Sequence, residues 1–231
     1  MLERKLISTD DGSATIFIPE WNESYHSKHG AVRESIHVFV QNGLDKIRHN
    51  KISILEVGFG TGLNSFLTLL NALKRELDIC YTGLEKYPVQ PSEYRLLNYS
   101  KSINENMNSF DFKGIEIDYL YQKLMGSNWG DFQEISQNFR LKKVETDFFE
   151  FDYPESEYDL VYFDAFGARV QPELWTLELF EKIHFGMKTG GLLTTYSSKG
   201  SVRRILKELG FEVEKLAGPP GKREMINAIK K

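Results

Sequence analysis

Cysteine is nearly absent: Cys80 is the single one in 231 residues, and it lies inside an apolar stretch. That excludes a disulfide framework and any thiolate metal cluster. Long apolar runs are also missing, since none reaches the roughly 20 residues needed to span a bilayer. Met1-Leu2-Glu3-Arg4-Lys5 lacks the apolar segment of a secretory signal, so a cytoplasmic location is expected. There are no internal repeats, no low-complexity tracts and no linker that would divide the chain. Positive charge is not in excess either. The formal net charge of −4 weighs mildly against a nucleic-acid partner, because phosphate contacts need Lys and Arg. Patch geometry outweighs the sum, however, and basic residues cluster at Lys142-Lys143, at Lys199, Arg203, Arg204 and Lys207, and at Lys222-Arg223. Each cluster reads equally well as a solvated face.

What is present bounds the class. At 41% hydrophobic and 13% aromatic the chain can bury a substantial core, which excludes global disorder. The organising stretch is Ile52 to Asn64. Ile52 to Val57 is β-branched and aliphatic, too short for a helix, and reads as a buried parallel strand. Gly58, Gly60 and Gly62 then remove the Cβ atoms from a sharp turn that a ligand can approach closely. Leu63, Phe66, Leu67, Leu70 and Leu73 recur at helical spacing. Strand, glycine turn and helix N-terminus together describe a nucleotide-type site at the carboxyl end of a parallel sheet. The dinucleotide fingerprint requires a further Gly where Leu63 stands, so a pyrophosphate cradle is not indicated. A plain tight turn between core elements remains the alternative.

Two acids end apolar segments, and a third precedes a pair of aromatics. Cys80 to Glu85 forms a second strand whose terminal Glu85 is placed to accept ribose hydroxyls, unless it is a solvated partner of Lys86. Asp147 precedes Phe148 and Phe149, as expected where a carboxylate and an apolar wall hold an adenine; a surface Asp fits as well. Tyr158 to Asp164 is a third buried strand, and its terminal Asp164 lies where open α/β sheets put their chemistry, or else caps the following loop.

Elsewhere the pattern gives a hairpin over Leu6–Pro19, centred on Asp10-Asp11-Gly12-Ser13, and a helix over Ala31–Ile47. His26 and His29 lack further ligands at metal spacing, so no metal is expected. Residues 87–143 exceed an ordinary connection and read as a helical insertion, with helices at Glu93–Met107 and across Trp129, Phe132, Ile135 and Phe139. Phe211–Leu216 and Met225–Ile229, joined through Gly218-Pro219-Pro220-Gly221, form an antiparallel pair. The expected fold is α/β, a mostly parallel sheet in one domain spanning 1–231. Residues 1–50 form its N-terminal hairpin-and-helix extension.

The alternating glycines resemble the first motif of class I S-adenosylmethionine-dependent methyltransferases, and the antiparallel hairpin matches their sheet edge. That likeness implies a Rossmann-like sheet of seven strands. A narrower likeness is carried by Leu55-Glu56-Val57-Gly58-Phe59-Gly60-Thr61-Gly62-Leu63-Asn64, Glu85-Lys86-Tyr87-Pro88, Phe163-Asp164-Ala165-Phe166, Pro172-Glu173-Leu174-Trp175 and Lys222-Arg223-Glu224-Met225. In this order they resemble the MnmC-type tRNA methyltransferases, and the likeness extends to Asp11-Gly12-Ser13, Glu34-Ser35 and Val38-Phe39. The resemblance implies methylation of 5-aminomethyl-2-thiouridine to 5-methylaminomethyl-2-thiouridine at the tRNA wobble position. It implies S-adenosyl-L-methionine held by Gly58, Phe59, Gly60, Gly62, Asn64, Glu85, Lys86, Asp147 and Phe148, with Asp164 catalytic. Phe166 and Trp175 would flank the uridine in the anticodon loop, unless they are core residues as such aromatics more often are, and Arg203, Arg204, Lys222 and Arg223 would meet phosphates. The fused members carry a flavin-dependent oxidase domain for which this sequence has no room. A standalone methyltransferase is therefore expected, with a separate enzyme supplying the aminomethyl precursor. One departure is Ala165-Phe166-Gly167-Ala168, where the family has Gly-Phe-Ala-Pro. The other readings are a methyltransferase acting on a small amine or a protein side chain, and a non-catalytic RNA-binding module.

Overall fold

The computed structural model describes residues 3–106 and 116–231. Two sheets are built from it. The small one is antiparallel: β1 (Lys5–Ser8) pairs with β2 (Ala14–Ile18), and β2 with β3 (Glu23–Ser24). This is the hairpin expected over Leu6–Pro19. Its turn is fastened by buried Asp11, whose carboxylate accepts from Thr9 Oγ1 at 2.7 Å and from the Ser13 amide at 3.1 Å. The same carboxylate accepts the Arg33 amide at 3.1 Å, so it also ties the hairpin to helix α1 (Ala31–Ser35).

The helix expected over Ala31–Ile47 is broken into three pieces. After α1 the chain widens into a π-helical stretch, Ile36–Gln41, and ends in a 3₁₀ turn, Leu44–Lys46. Val38, Phe39 and Val40 are all buried in it, more than one helix stripe could bury, because the segment is enclosed on several sides.

The large sheet contains β4 (Lys51–Val57), β5 (Asp78–Glu85), β6 (Gln133–Ser136), β7 (Phe139–Glu145), β8 (Tyr158–Phe163), β9 (Met187–Thr195), β10 (Phe211–Ala217) and β11 (Glu224–Lys230). Their order is β10-β11-β9-β8-β4-β5-β7-β6. From β9 to β7 the pairings are parallel, and β11 and β10 close one edge antiparallel. The mostly parallel sheet with its C-terminal hairpin is thus present, with one strand more than the expected seven. That extra strand is β6, antiparallel to β7. It also corrects the helix expected across Trp129, Phe132, Ile135 and Phe139. Those residues mimic helical spacing, but the turn at Gln137-Asn138 folds them into a hairpin. Along β7 Phe139, Leu141 and Lys143 are buried alternately, the period of a strand.

Helix α2 (Leu63–Arg75) crosses from β4 to β5, α6 (Leu177–Gly186) from β8 to β9, and α7 (Gly200–Glu208) from β9 to β10. Between β5 and β7 lie α3 (Pro91–Tyr94), α4 (Tyr99–Asn106) and α5 (Ile117–Gly126). The end of the helix expected over 93–107, Met107, lies outside the described residues. Leu63, Phe66, Leu67 and Leu70 are buried as expected, and so are Ser65, Thr68 and Asn71 on the opposite side. The insertion explains this, since Tyr121 of α5 packs its ring 5.1 Å from that of Phe66. Among the described residues no helix is long and apolar enough to cross a membrane.

Candidate active site

The strand order reverses at β4: its chain-order successor β5 lies on one side and β8 on the other. In open α/β sheets this switch point opens a crevice at the carboxyl ends of the strands. Here the crevice is a cleft of about 1370 Å³. The glycine loop forms its floor. Gly58 has φ 95°, and a Cβ there would stand 2.7 Å from the Asp164 carbonyl oxygen, so only glycine lets the two strand ends meet. Gly60 has φ 51°, and a Cβ there would press on the Tyr25 ring at 3.0 Å. Tyr99 and Tyr121 brace the loop from above, donating to Thr61 Oγ1 and to the Thr61 carbonyl, each at 2.9 Å.

Carboxylates surround this loop. Glu85 is buried at the end of β5; Oε2 accepts the Gly60 amide and Oε1 the Tyr87 amide, both at 2.8 Å. Burial pushes its carboxyl above the usual range, and the two amide bonds oppose that rise. Asp164, just past β8, keeps part of its surface open to the cleft while protein encloses its other sides. That enclosure, reinforced by the facing Glu34 charge, pushes its carboxyl up to about 8, with the bond from Asn64 and the charge of Lys222 opposing. Behind it, buried Glu56 accepts from Asn64 Nδ2 and from the Tyr81 hydroxyl, both at 2.8 Å. Burial holds Glu56 well above the normal carboxylate range.

Of the residues expected to hold the cofactor, Gly58, Phe59, Gly60, Asn64, Glu85, Lys86, Asp147 and Phe148 line the cleft. Gly62 stands one step back, where a Cβ would meet Met125 Sδ at 2.5 Å. Lys86 and Asp147 pair with each other at 2.6 Å. Phe166 lines the cleft, edge-on to Trp21 at 5.2 Å and to Tyr25 at 5.0 Å. Trp175, expected beside it, is instead buried against Phe163, and its Nε1 donates to the Phe166 carbonyl at 2.8 Å. It supports the loop from behind and does not line the cleft. Arg203, Arg204 and Arg223 lie outside the lining, whereas Lys222, expected to face phosphate, reaches inward and pairs with Glu34 at 2.6 Å. His26 is buried against Thr15, and burial lowers its ring to about 4.

Sequence reasoning missed Glu34, Glu56, Trp21, Tyr25 and Tyr196 as site residues. Glu56 carried a local signal, a lone acid within an apolar strand two residues before the first glycine. The others reach the cleft only through tertiary contacts.

The donor set matches the chemistry of S-adenosyl-L-methionine. Glu85 and Asp147 offer hydroxyl and amine acceptors, Phe148 offers an apolar face, and the glycine loop floors the cleft that they share. Two acids touch the loop, Glu85 through the Gly60 amide and Asp164 at Gly58, which suits a sulfonium and an ammonium and not a pyrophosphate. The residues fit.

A family model described as S-adenosyl-L-methionine-dependent methyltransferase matches residues 123–231. The crystal structure of MNMC2 from Aquifex aeolicus superposes with a TM-score of 0.75 at 27% identity, covering 100% of this chain and 71% of that one. The chain is thus similar over its C-terminal half to S-adenosyl-L-methionine-dependent methyltransferases, and over its whole length to an MnmC2 structure. The tRNA 5-methylaminomethyl-2-thiouridine biosynthesis bifunctional protein MnmC of Idiomarina loihiensis is 29% identical over 224 residues, which make up 89% of this chain and 35% of that protein. The protein of the same name from Hydrogenovibrio crunogenus is 29% identical over 239 residues, 97% of this chain and 34% of its own length. The chain thus spans about a third of the length of these MnmC relatives.

Proposed function

We propose that this chain transfers a methyl group from S-adenosyl-L-methionine to the amine of a 5-aminomethyl-2-thiouridine at the tRNA wobble position. The observation that carries the reading is the junction of Gly58 with Asp164: the bare backbone bend and an acid of raised proton affinity share one cleft wall. When bound, S-adenosyl-L-methionine supplies a methyl on a sulfonium, already activated for in-line displacement. The protein's task is then positioning and proton management.

Glu85 takes the ribose hydroxyls while holding the loop through the Gly60 amide. Asp147 and Phe148 take the adenine edge and face. Asp164 accepts the ammonium proton of the substrate, which frees the nitrogen lone pair and aims it at the methyl. Its raised proton affinity narrows the gap to an alkylammonium, which eases that transfer. Asn64 holds Asp164 in place and shields it from Glu56. Phe166, with Trp21 and Tyr25 against it, offers an aromatic wall for the extruded base. Arg203, Arg204 and Arg223 serve the flanking phosphates. The names of the MnmC relatives support tRNA as the substrate. Residues 1–231 work as one cytoplasmic methyltransferase unit, and another enzyme activity supplies the aminomethyl group.

The test is incubation with labelled S-adenosyl-L-methionine and tRNA whose wobble base stops at the aminomethyl stage, followed by nucleoside mass spectrometry. One methyl on the wobble nucleoside is expected. Transfer to small amines but not to this tRNA replaces the substrate assignment, and no transfer to any amine overturns the reading.

A further inference from the structure

We propose that Glu34, Tyr196 and Asp164 enclose a subsite for an alkylammonium group, that the side chain of Lys222 fills it in the resting protein, and that the substrate's ammonium displaces Lys222. The inference rests on the amine-methyltransferase reading and deepens it by assigning what recognises the amine.

The chain's own lysine reports what this corner binds. Lys222 lies in the turn between β10 and β11, far from Glu34 in sequence. Its Nζ nevertheless sits 2.6 Å from Glu34 Oε1 and 3.8 Å from the centroid of the Tyr196 ring. A cation seated between a carboxylate and an aromatic face is the chemistry of an ammonium cage. The cage is built in. Glu34 is 7% exposed, and its other oxygen accepts the Ser27 amide at 2.7 Å. Tyr196 donates to the Ala165 carbonyl at 2.8 Å, which fastens the ring to the residue following Asp164. All four side chains line the same cleft.

Charge count favours exchange. Asp164 faces Glu34 and Lys222 across the cleft, has Tyr196 beside it, and has Asn64 and Glu56 behind. In this corner the charge of Lys222 acts on Asp164 as well as on its partner Glu34. An incoming ammonium that replaces Lys222 keeps Glu34 neutralised and arrives beside Asp164, the group assigned to take its proton. A neutral group of the same shape would leave Lys222 where it is. The corner thus selects an aminomethyl substituent over a hydroxymethyl one. Once released, Lys222 swings on the Gly218–Gly221 turn towards solvent, where a polyanion can receive it.

Benzylammonium chloride, a charged aminomethyl group on a six-membered ring, serves as the probe, with benzyl alcohol as its neutral counterpart. Binding is followed by NMR titration of the full chain at constant ionic strength, so no turnover is needed. Lys222→Met should bind benzylammonium roughly tenfold more tightly than wild type, the factor expected if Lys222 fills the corner about nine-tenths of the time. Benzyl alcohol should bind the two proteins alike. Glu34→Gln should lose the preference for the ammonium. The proposal is overturned if Lys222→Met binds benzylammonium no more tightly, or if benzyl alcohol gains as much, since extra room alone would then explain the change. If Glu34→Gln does not fold, the Lys222→Met comparison decides. Failure of wild type to methylate any amine would remove the catalytic reading without altering this titration.

Discussion

Asn64 Nδ2 donates to Asp164 Oδ2 across 2.8 Å, linking the first turn of α2 to the tip of β8. The same nitrogen donates to Glu56 Oε1 at 2.8 Å, so one neutral amide separates two acids whose carboxyls are both pushed up by burial. Like charges at such close quarters disfavour joint ionisation.

Replacing Asp164 by Asn should lower kcat by about 10²- to 10⁴-fold, the loss typical of an acid–base group, with the donor's Kd nearly unchanged. In wild type, kcat/KM should rise as pH passes through about 8, where Asp164 becomes able to accept a proton; Asp164→Asn should lose that limb. The stability change has a definite sign. Folding raises this carboxyl from 3.8 to about 8, so the folded state holds the proton longer. Its stabilising contribution is complete below about pH 4 and lost as pH rises to about 8. Thermal melts should show Asp164→Asn gaining on wild type between pH 5 and pH 9. A constant difference across that range would mean Asp164 is not shifted.

Glu85 does two jobs. Glu85→Gln keeps the shape but loses charge, and should weaken S-adenosyl-L-methionine by about 1.5–3 kcal/mol, the range for bonds to charged groups. Glu85→Ala should also lower the melting temperature, because the Gly60 and Tyr87 amides both lose their acceptor. Calorimetry finding equal donor affinity in Glu85→Gln and wild type would take Glu85 out of the pocket.

Phe166 and Trp175 separate cleanly. Phe166→Ala removes a cleft wall and should cost the bound base about 1–3 kcal/mol of stacking, seen as a raised KM for tRNA with the melt little changed. Trp175→Ala empties a site packed on Phe163 and should destabilise the fold by about 3–5 kcal/mol. Equal melting losses in both variants would show that Phe166 is also core.

The parts of the site legible in sequence are those whose signal is local. Gly58 and Gly60 follow a short apolar run, and Glu85 and Asp164 end two others. A strand's carboxyl end is where such a sheet gathers its ligands. Glu34 and Lys222 were illegible as a pair because folding, not spacing, joins α1 to the last hairpin. Trp175 misled for the reverse reason: it stands near Phe166 in sequence, but the 3₁₀ turn at Pro172–Trp175 points it into the core. Residues 129–139 misled because spacings of three and four, typical of a helix, also arise across a tight hairpin.

Lys143 shows how far the strand period can override a charge pattern. As half of Lys142-Lys143 it read as a phosphate-binding patch or a solvated face, yet it is 0% exposed on the inward face of β7. Its Nζ lies 4.9 Å from the Trp129 ring centroid and donates to the Met125 carbonyl at the end of α5. Burial lowers it from 10.5 to about 8. The unfolded chain therefore binds this proton more tightly than the folded one, and stability should rise as pH goes from about 8 to about 10.5. Lys143→Met removes the ionisable group while filling similar space. It also leaves the Met125 carbonyl without this donor, at a cost of about 0.5–1.5 kcal/mol. Relative to wild type it should be at its best at pH 7 and lose ground by pH 10. Urea denaturation at the two pH values measures this directly, and a difference that does not change with pH would show that the lysine is not held below its ordinary value.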